Sequence, residues 1–445
     1  MSVMKFALIV NYFSSKGLVL CENIGANTLF RSLLKGIGIG IFLLISFAGV
    51  VSAQVQNLKP ESVFREYSNR KMFSPFKGDF AAYDSFQIDL NIDDLKDVAD
   101  AEVALNFWGG HIGTSDQTFK INGSRKFDFP QPKTPGNPYC YFRFGLGNPP
   151  VKIPPALLKT GKNTFTFFCG KQICHGFNWP LYWLNSFTVR VFYDKDSKQY
   201  VKGKIRKRKP EDTDVAYNLV GFETDVDDPA LVESVEYIGY YEDYDLEGDG
   251  QLAGWQYTIS NGTWGNIIGK QSVQPYSQNW SNNWVPEQNG LLQIVAKINS
   301  KNGLSYLTTP VVFKKLMQHN SRVKMFQTEK LEENFASRVS KRKECNIKIT
   351  ESLNDAISAY LVLSSWSGES EDGAKHTVGI NGKVLAESPG KLHDWAFLKI
   401  PIPMEYLKTG DNTFFVYSET QEHMFEINYP GPAILIRYSA KDDKK

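Results

Sequence analysis

The sequence is short of the residues that do most chemistry. Six histidines and five cysteines are scattered over 445 residues. It has no nucleophile-elbow serine, no His-Glu-x-x-His pair and no phosphate-binding loop. An excess of one charge is missing too: 50 Lys and Arg against 48 Asp and Glu leave a net +2. No broad field therefore favours nucleic acid or an anionic membrane. Long amphipathic helical periodicity is absent, which excludes a helical bundle. The longest apolar run, Gly36 to Val51, falls short of the ~20 residues a membrane span needs.

That run carries a different signal. Arg31 and Lys35 precede it, and Val51-Ser52-Ala53 closes it before Gln54. A basic region, an apolar stretch and a small-residue cleavage site make a secretory signal peptide. Residues 1–53 are thus expected to be leader and signal peptide, and the chain exported to a periplasmic, cell-surface or extracellular location. The alternative is an uncleaved signal anchor, the one route by which a membrane would be a partner. No Cys follows the cleavage site, so a lipid anchor is not indicated. An oxidising compartment permits bridges among Cys140, Cys169, Cys174 and Cys345, in three pairings that sequence does not separate. A zinc site at Cys169 and Cys174 lacks a second ligand pair at metal spacing.

What the sequence does contain is a repeat. Ile153-Pro154 and Leu158-Lys159-Thr160-Gly161-Lys162-Asn163-Thr164-Phe165 return as Ile402-Pro403 and Leu407-Lys408-Thr409-Gly410-Asp411-Asn412-Thr413-Phe414. Ile121-Asn122-Gly123 returns as Ile380-Asn381-Gly382, and Leu95, Ala101, Leu105 and Trp108 as Leu353, Ala359, Leu363 and Trp366. The offset drifts slowly, as two copies of one fold with different loop lengths require. Asn-Gly accepts the positive φ angles of a type I′ hairpin turn. Strands alternate, as in Phe187-Thr188-Val189-Arg190-Val191-Phe192-Tyr193, with Phe187, Val189, Val191 and Tyr193 on one face. Ala433-Ile434-Leu435-Ile436-Arg437-Tyr438, the matching last strand of the second copy, is more apolar and is expected to be covered on both sides. The expected class is all-β, two repeated jelly-roll sandwiches flanking a third sandwich. Its boundaries are 54–200 for the first copy, 201–211 for a basic solvated linker, 212–318 for the middle unit and 319–445 for the second copy.

A Trp-ended strand, an Ile-Asn-Gly hairpin, an Ile-Pro and then Leu-Lys-x-Gly-x-Asn-x-Phe resembles the galactose-binding-like jelly roll. The resemblance covers roughly residues 75–195 and 322–440. It implies a carbohydrate-binding module or a noncatalytic domain of a secreted polysaccharide-degrading enzyme, and it carries over no binding residues. The middle unit has an aromatic strand, Pro286, Gly290, the alternating strand Leu292 to Ile298 and Asn302-Gly303. It resembles the bacterial immunoglobulin-like domains that space modules apart.

Four places hold candidate contact residues. Asp243, Asp245, Glu247 and Asp249 set carboxylates on alternate residues, as in calcium loops. Gly254 stands where an EF-hand needs its bidentate Glu, so the readings are a structural Ca2+ site or a solvated hairpin tip, with no other cofactor expected. Trp179, Tyr182 and Trp183 form an aromatic cluster suited to sugar rings or to core packing. The proline-rich stretch Phe127 to Pro150 offers Asp128, Tyr139, Tyr141 and Arg143, on a pre-stiffened loop or a mere edge cap. His111, His175 and His423 are the remaining candidates. His111 with Tyr141 and Arg143 could serve a lyase as base and charge neutraliser, although nothing in the sequence fixes their separation.

The expected function is a secreted noncatalytic carbohydrate-binding or surface-adhesion protein with a polysaccharide or glycan partner, the first copy being the expected binder. The alternatives are a polysaccharide lyase or glycoside hydrolase with its site in the first copy, and a structural envelope or matrix protein that binds other proteins.

Overall fold

The computed structural model describes residues 59–69, 76–78, 81–82, 85–108, 114–129, 150–170, 182–208, 219–241, 267–288, 291–313, 321–328, 331–332, 335–339, 341–370, 373–392, 395–421, 424–428 and 431–439. Among them there is no α-helix, only strands and three-residue 3₁₀ turns such as Pro155–Leu157 and Met404–Tyr406. No helix of the described residues is long and apolar enough to cross a membrane.

The N-terminal copy runs β1 (Val63–Asn69), β2 (Phe76–Gly78), β3 (Ala81–Ala82), β4 (Ser85–Ile92), β5 (Val98–Trp108), β6 (Thr118–Ile121), β7 (Phe127–Asp128), β8 (Val151–Ile153), β9 (Gly161–Phe168) and β10 (Trp183–Tyr193). β1-β10-β5-β8 form a front sheet and β4-β9-β6-β7 a back sheet, with antiparallel pairing. β4 alternates exposed and buried residues along its length, so each sheet gives one face to the core. Phe119, Phe165, Phe167 and Phe187 fill the space between the sheets.

The middle unit runs β11 (Gly203–Lys207), β12 (Leu219–Val226), β13 (Val232–Tyr240), β14 (Ile267–Gln271), β15 (Ser277–Ser281), β16 (Leu292–Ser300), β17 (Ser305–Leu307) and β18 (Val311–Phe313). β11-β12-β15 pack over β14-β13-β16-β17, with β18 beside β16 and with Phe222, Tyr237 and Trp280 between the layers. The stretch expected as a linker thus contains a strand. Ile205 of β11 is buried while Lys204, Arg206 and Lys207 remain exposed, because alternation lets a basic segment pair and stay solvated.

The C-terminal copy runs β19 (Ser321–Gln327), β20 (Ala336–Ser337), β21 (Lys343–Ile349), β22 (Ala356–Trp366), β23 (His376–Ile380), β24 (Lys383–Glu387), β25 (Trp395–Ile402), β26 (Gly410–Ser418), β27 (Phe425–Ile427) and β28 (Ala433–Ser439). Its front sheet is β19-β28-β22-β25 and its back sheet β21-β26-β23-β24, strand for strand the order of the first copy. β27 continues the β28 edge of β22, and β20 pairs with β27 beyond it. The repeat is therefore a repeat of topology.

The recurring motif is a hydrogen-bond clasp. Asn122 and Asn381 both have φ of 50°, followed by Gly123 at 77° and Gly382 at 76°, the turn that Asn-Gly permits. Asn122 Nδ2 donates to Asn163 Oδ1 at 2.8 Å and to the Leu157 carbonyl at 2.9 Å. Asn163 in turn accepts from the Lys159 amide and donates to the carbonyls of Lys159 and Gly161. Asn381 and Asn412 repeat each of these bonds, with Tyr406, Lys408 and Gly410 as partners. Both Asn163 and Asn412 are fully buried. The residues that reveal the repeat thus serve the fold.

The first two units share one sheet. β17 pairs with β1 through Val63↔Tyr306 and Phe64↔Ser305, so nine strands run continuously through both. An ion network crosses that seam on the outer face. Lys297 Nζ lies 2.6 Å from Glu66, which meets Arg190 at 2.6 Å; Arg190 meets Glu102 at 3.0 Å, and Glu102 meets Lys59 at 3.0 Å. Burial alone would raise the Glu66 carboxyl, but Lys297 and Arg190 outweigh it and hold the group at about 2.

The middle unit meets the C-terminal copy through Trp284. Its indole stands edge-on to Tyr360 with centroids 4.5 Å apart, beside a small outer cluster of Val323, Val362, Ala433 and Leu435. The expectation that the last strand is covered on both faces holds: Ile434 and Ile436 face the core, and Ala433 and Leu435 this second cluster.

Candidate functional site

The structure places the sequence-derived candidates unevenly. Tyr182 is fully buried, 4.9 Å edge-on from Phe129 and 6.3 Å from Phe86. Burial pushes its phenol well above the usual range. As a sugar platform it is corrected: a ring wedged between two core phenylalanines presents no face to a ligand. Asp128 is exposed on β7, opposite Thr118. Trp183 opens β10 and lies in register with Trp108, so the end of the first copy's front sheet has a Trp–Trp backbone pair. His111, His175, His423, Tyr139, Tyr141, Arg143, Trp179, Cys140, Cys174 and the acidic loop Asp243, Asp245, Glu247 and Asp249 lie outside the described residues. Cys345 is a half-buried free thiol held at about 12 by burial. Among the described residues no cluster of three or more His, Cys, Asp or Glu side chains could hold a metal ion.

The equivalent end of the second copy is richer. Along β22, Ala359, Leu361 and Leu363 face the core, so Tyr360, Val362, Ser364 and Trp366 face outward. On β25 the core takes Leu398, Ile400 and Ile402, which turns Phe397 and Lys399 outward. Phe397 is 46% exposed although it is a large apolar ring. Backbone register sets Trp366 opposite Trp395 on one side and Glu426 on the other, and Phe397 opposite Ser364. Glu426 therefore holds the position that Trp183 holds in the first copy. Its carboxyl is raised well above the usual carboxylate range by burial, against the pull of Arg338. Asn428 Nδ2 reaches Ser364 Oγ at 3.3 Å.

Trp366 and Phe397 make the floor of this face aromatic, while Ser364 and Asn428 beside them are buried and bonded to each other. At the inner end stand Trp284, Tyr360, Lys399 and Arg437. Lys399 Nζ sits 4.7 Å over the Trp284 ring and 4.5 Å over Tyr360, and the Arg437 guanidinium 4.2 Å over Trp284. Sequence reading took Trp366 only as the repeat partner of Trp108 and missed Phe397. Trp395-Ala396-Phe397-Leu398-Lys399-Ile400 alternates as a strand does, but the alternation alone does not say which of its two faces meets the core.

No protein-family model matches the chain, and no curated protein sequence matches it. Solved structures with a partial likeness include a β-porphyranase of glycoside hydrolase family 86 from the human gut bacterium Bacteroides plebeius, at 12% identity and a TM-score of 0.22, over 50% of this chain and 35% of that one. A peptide-N(4)-(N-acetyl-β-D-glucosaminyl) asparagine amidase aligns at 6% identity and a TM-score of 0.21, over 85% and 96%. A carbohydrate-binding module of the β-sandwich superfamily aligns at 11% identity and a TM-score of 0.15, over 53% and 96%. The chain spans about a third of the length of the glycoside hydrolase chains it resembles.

Proposed function

We propose that this is an exported, noncatalytic glycan-binding or surface-adhesion protein, and that the end of the C-terminal front sheet is a contact face. The observation that carries the reading is the outward pair Trp366 and Phe397, the latter 46% exposed where the fold gains nothing from exposing it. Aromatic faces suit the C–H surfaces of sugar rings. The binder favoured on sequence grounds was the first copy. Trp183, opposite Trp108 at the same end of the same sheet, keeps a second contact face there as part of the proposal. The middle unit acts in this reading as an immunoglobulin-like spacer.

Retention of the chain on immobilised polysaccharides tests the reading. Wild type should be retarded on at least one polymer, and Phe397→Ala should weaken that binding about tenfold, as loss of one aromatic anchor does. Retardation on none, or a stable protein partner captured by crosslinking at this face instead, would replace glycan binding with a structural role.

A further inference from the structure

We infer, resting on the glycan-contact reading, that the saccharide taken by this face is anionic and that its acidic group sits between Lys399 and Arg437. Lys399 lies two residues along β25 from Phe397 on the same outward face, about 7 Å away along the strand. A sugar stacked on Phe397 therefore has a neighbour or substituent at Lys399. Arg437 projects from β28 toward the same indole, Trp284, that Lys399 covers. The two cations share one ring, and among the described residues neither has a carboxylate within ion-pair distance. Nearby cations differ: Arg322 meets Glu351 at 2.6 Å, and Lys324 meets Glu287 at 2.5 Å.

Packing against Trp284 does not account for the pair alone. A cation over an aromatic face gains ~0.5–2 kcal/mol, yet two like charges at one ring repel, and each must give up hydration. Burial, and then Arg437, lowers the Lys399 ammonium below its usual range, the mark of a positive charge without compensation. Arg437 spends one donor on the Asn283 carbonyl at 2.6 Å, and its Nε is buried without a partner among the described residues. A carboxylate or sulfate accepts from the remaining guanidinium donor and from the ammonium together, which supplies the counter-charge that both cations lack. Uronic acids and sulfated sugars share this chemistry.

The full chain would be run by affinity electrophoresis in gels holding polygalacturonate, dextran sulfate or unmodified dextran, with wild type, Lys399→Met and Lys399→Arg. Expected is retardation by at least one anionic polymer that weakens as salt rises, drops about tenfold in Lys399→Met and returns in Lys399→Arg. Polygalacturonate alone identifies a carboxylate, dextran sulfate alone a sulfate, and both together the shared anion. Equal retardation by dextran, unchanged in Lys399→Met, overturns the anionic inference and leaves glycan binding standing. Anionic retardation that Lys399→Met does not change shows that the acidic group sits elsewhere, which also overturns it. No retardation on these gels, with binding to other neutral polysaccharides, overturns the inference alone; no binding to any polysaccharide overturns the glycan reading too.

Discussion

Replacing the buried asparagine of each clasp, Asn163→Ala and Asn412→Ala, should destabilise its own sandwich by a similar amount. Each side chain is fully buried and makes four bonds. Truncation orphans the Lys159 or Lys408 amide, one Nδ2 hydrogen of Asn122 or Asn381, and two carbonyls. A buried group left unpaired costs ~1–3 kcal/mol, and the turn lies at a sandwich end where water can reach some of the four. The expected loss is ~2–4 kcal/mol in either copy, and about a third of that for Thr164→Ala, whose hydroxyl bonds to Asp89 at the surface. Urea unfolding followed by near-ultraviolet circular dichroism measures it through the midpoint at constant m. A loss under 1 kcal/mol in both copies, or a large loss in one and none in the other, would refute the equivalence of the clasps.

Other expectations follow from the same contacts. Glu66 is held at about 2 when folded against 4.5 ordinarily. A depressed carboxyl stabilises the fold above its unfolded pKa, so about 3 kcal/mol should be present above pH 4.5 and lost as pH falls toward 2. Denaturation midpoints of wild type and Glu66→Gln should converge through that window; curves that stay parallel would contradict the network. Tyr182→Phe should leave stability within about 1 kcal/mol, because the hydroxyl has no partner among the described residues, whereas Tyr182→Ala should cost ~3–5 kcal/mol. The Cys345 thiol, held near 12, should resist alkylation at pH 8 in the native protein and react once urea unfolds it.

The repeat was legible because its residues solve a local problem. Asn122-Gly123 and Asn163 must form one turn and its clasp, and few other side chains do so. Alternation likewise exposed the inward face of β10, and a near-continuous apolar run the two-sided cover of β28. What stayed hidden depends on partners far away in the chain. No pattern in Val63-Phe64 announces pairing with Ser305-Tyr306, so one sheet shared by two units was read as two units and a linker. The basic run looks solvated in sequence, and Lys204, Arg206 and Lys207 are, yet Ile205 is buried and β11 pairs with β12 along its length. For the contact face, the aromatic excess of the first copy drew attention to Tyr182, a core ring. Phe397 was missed because only the register of β25 against β22 shows which way it points.

Polysaccharide binding by wild type and by Trp366→Ala in the full chain, with folding checked by circular dichroism, tests the contact face most directly. Wild type should bind, and the variant, still folded, should bind about tenfold more weakly. A folded variant with undiminished binding would contradict the placement of the face.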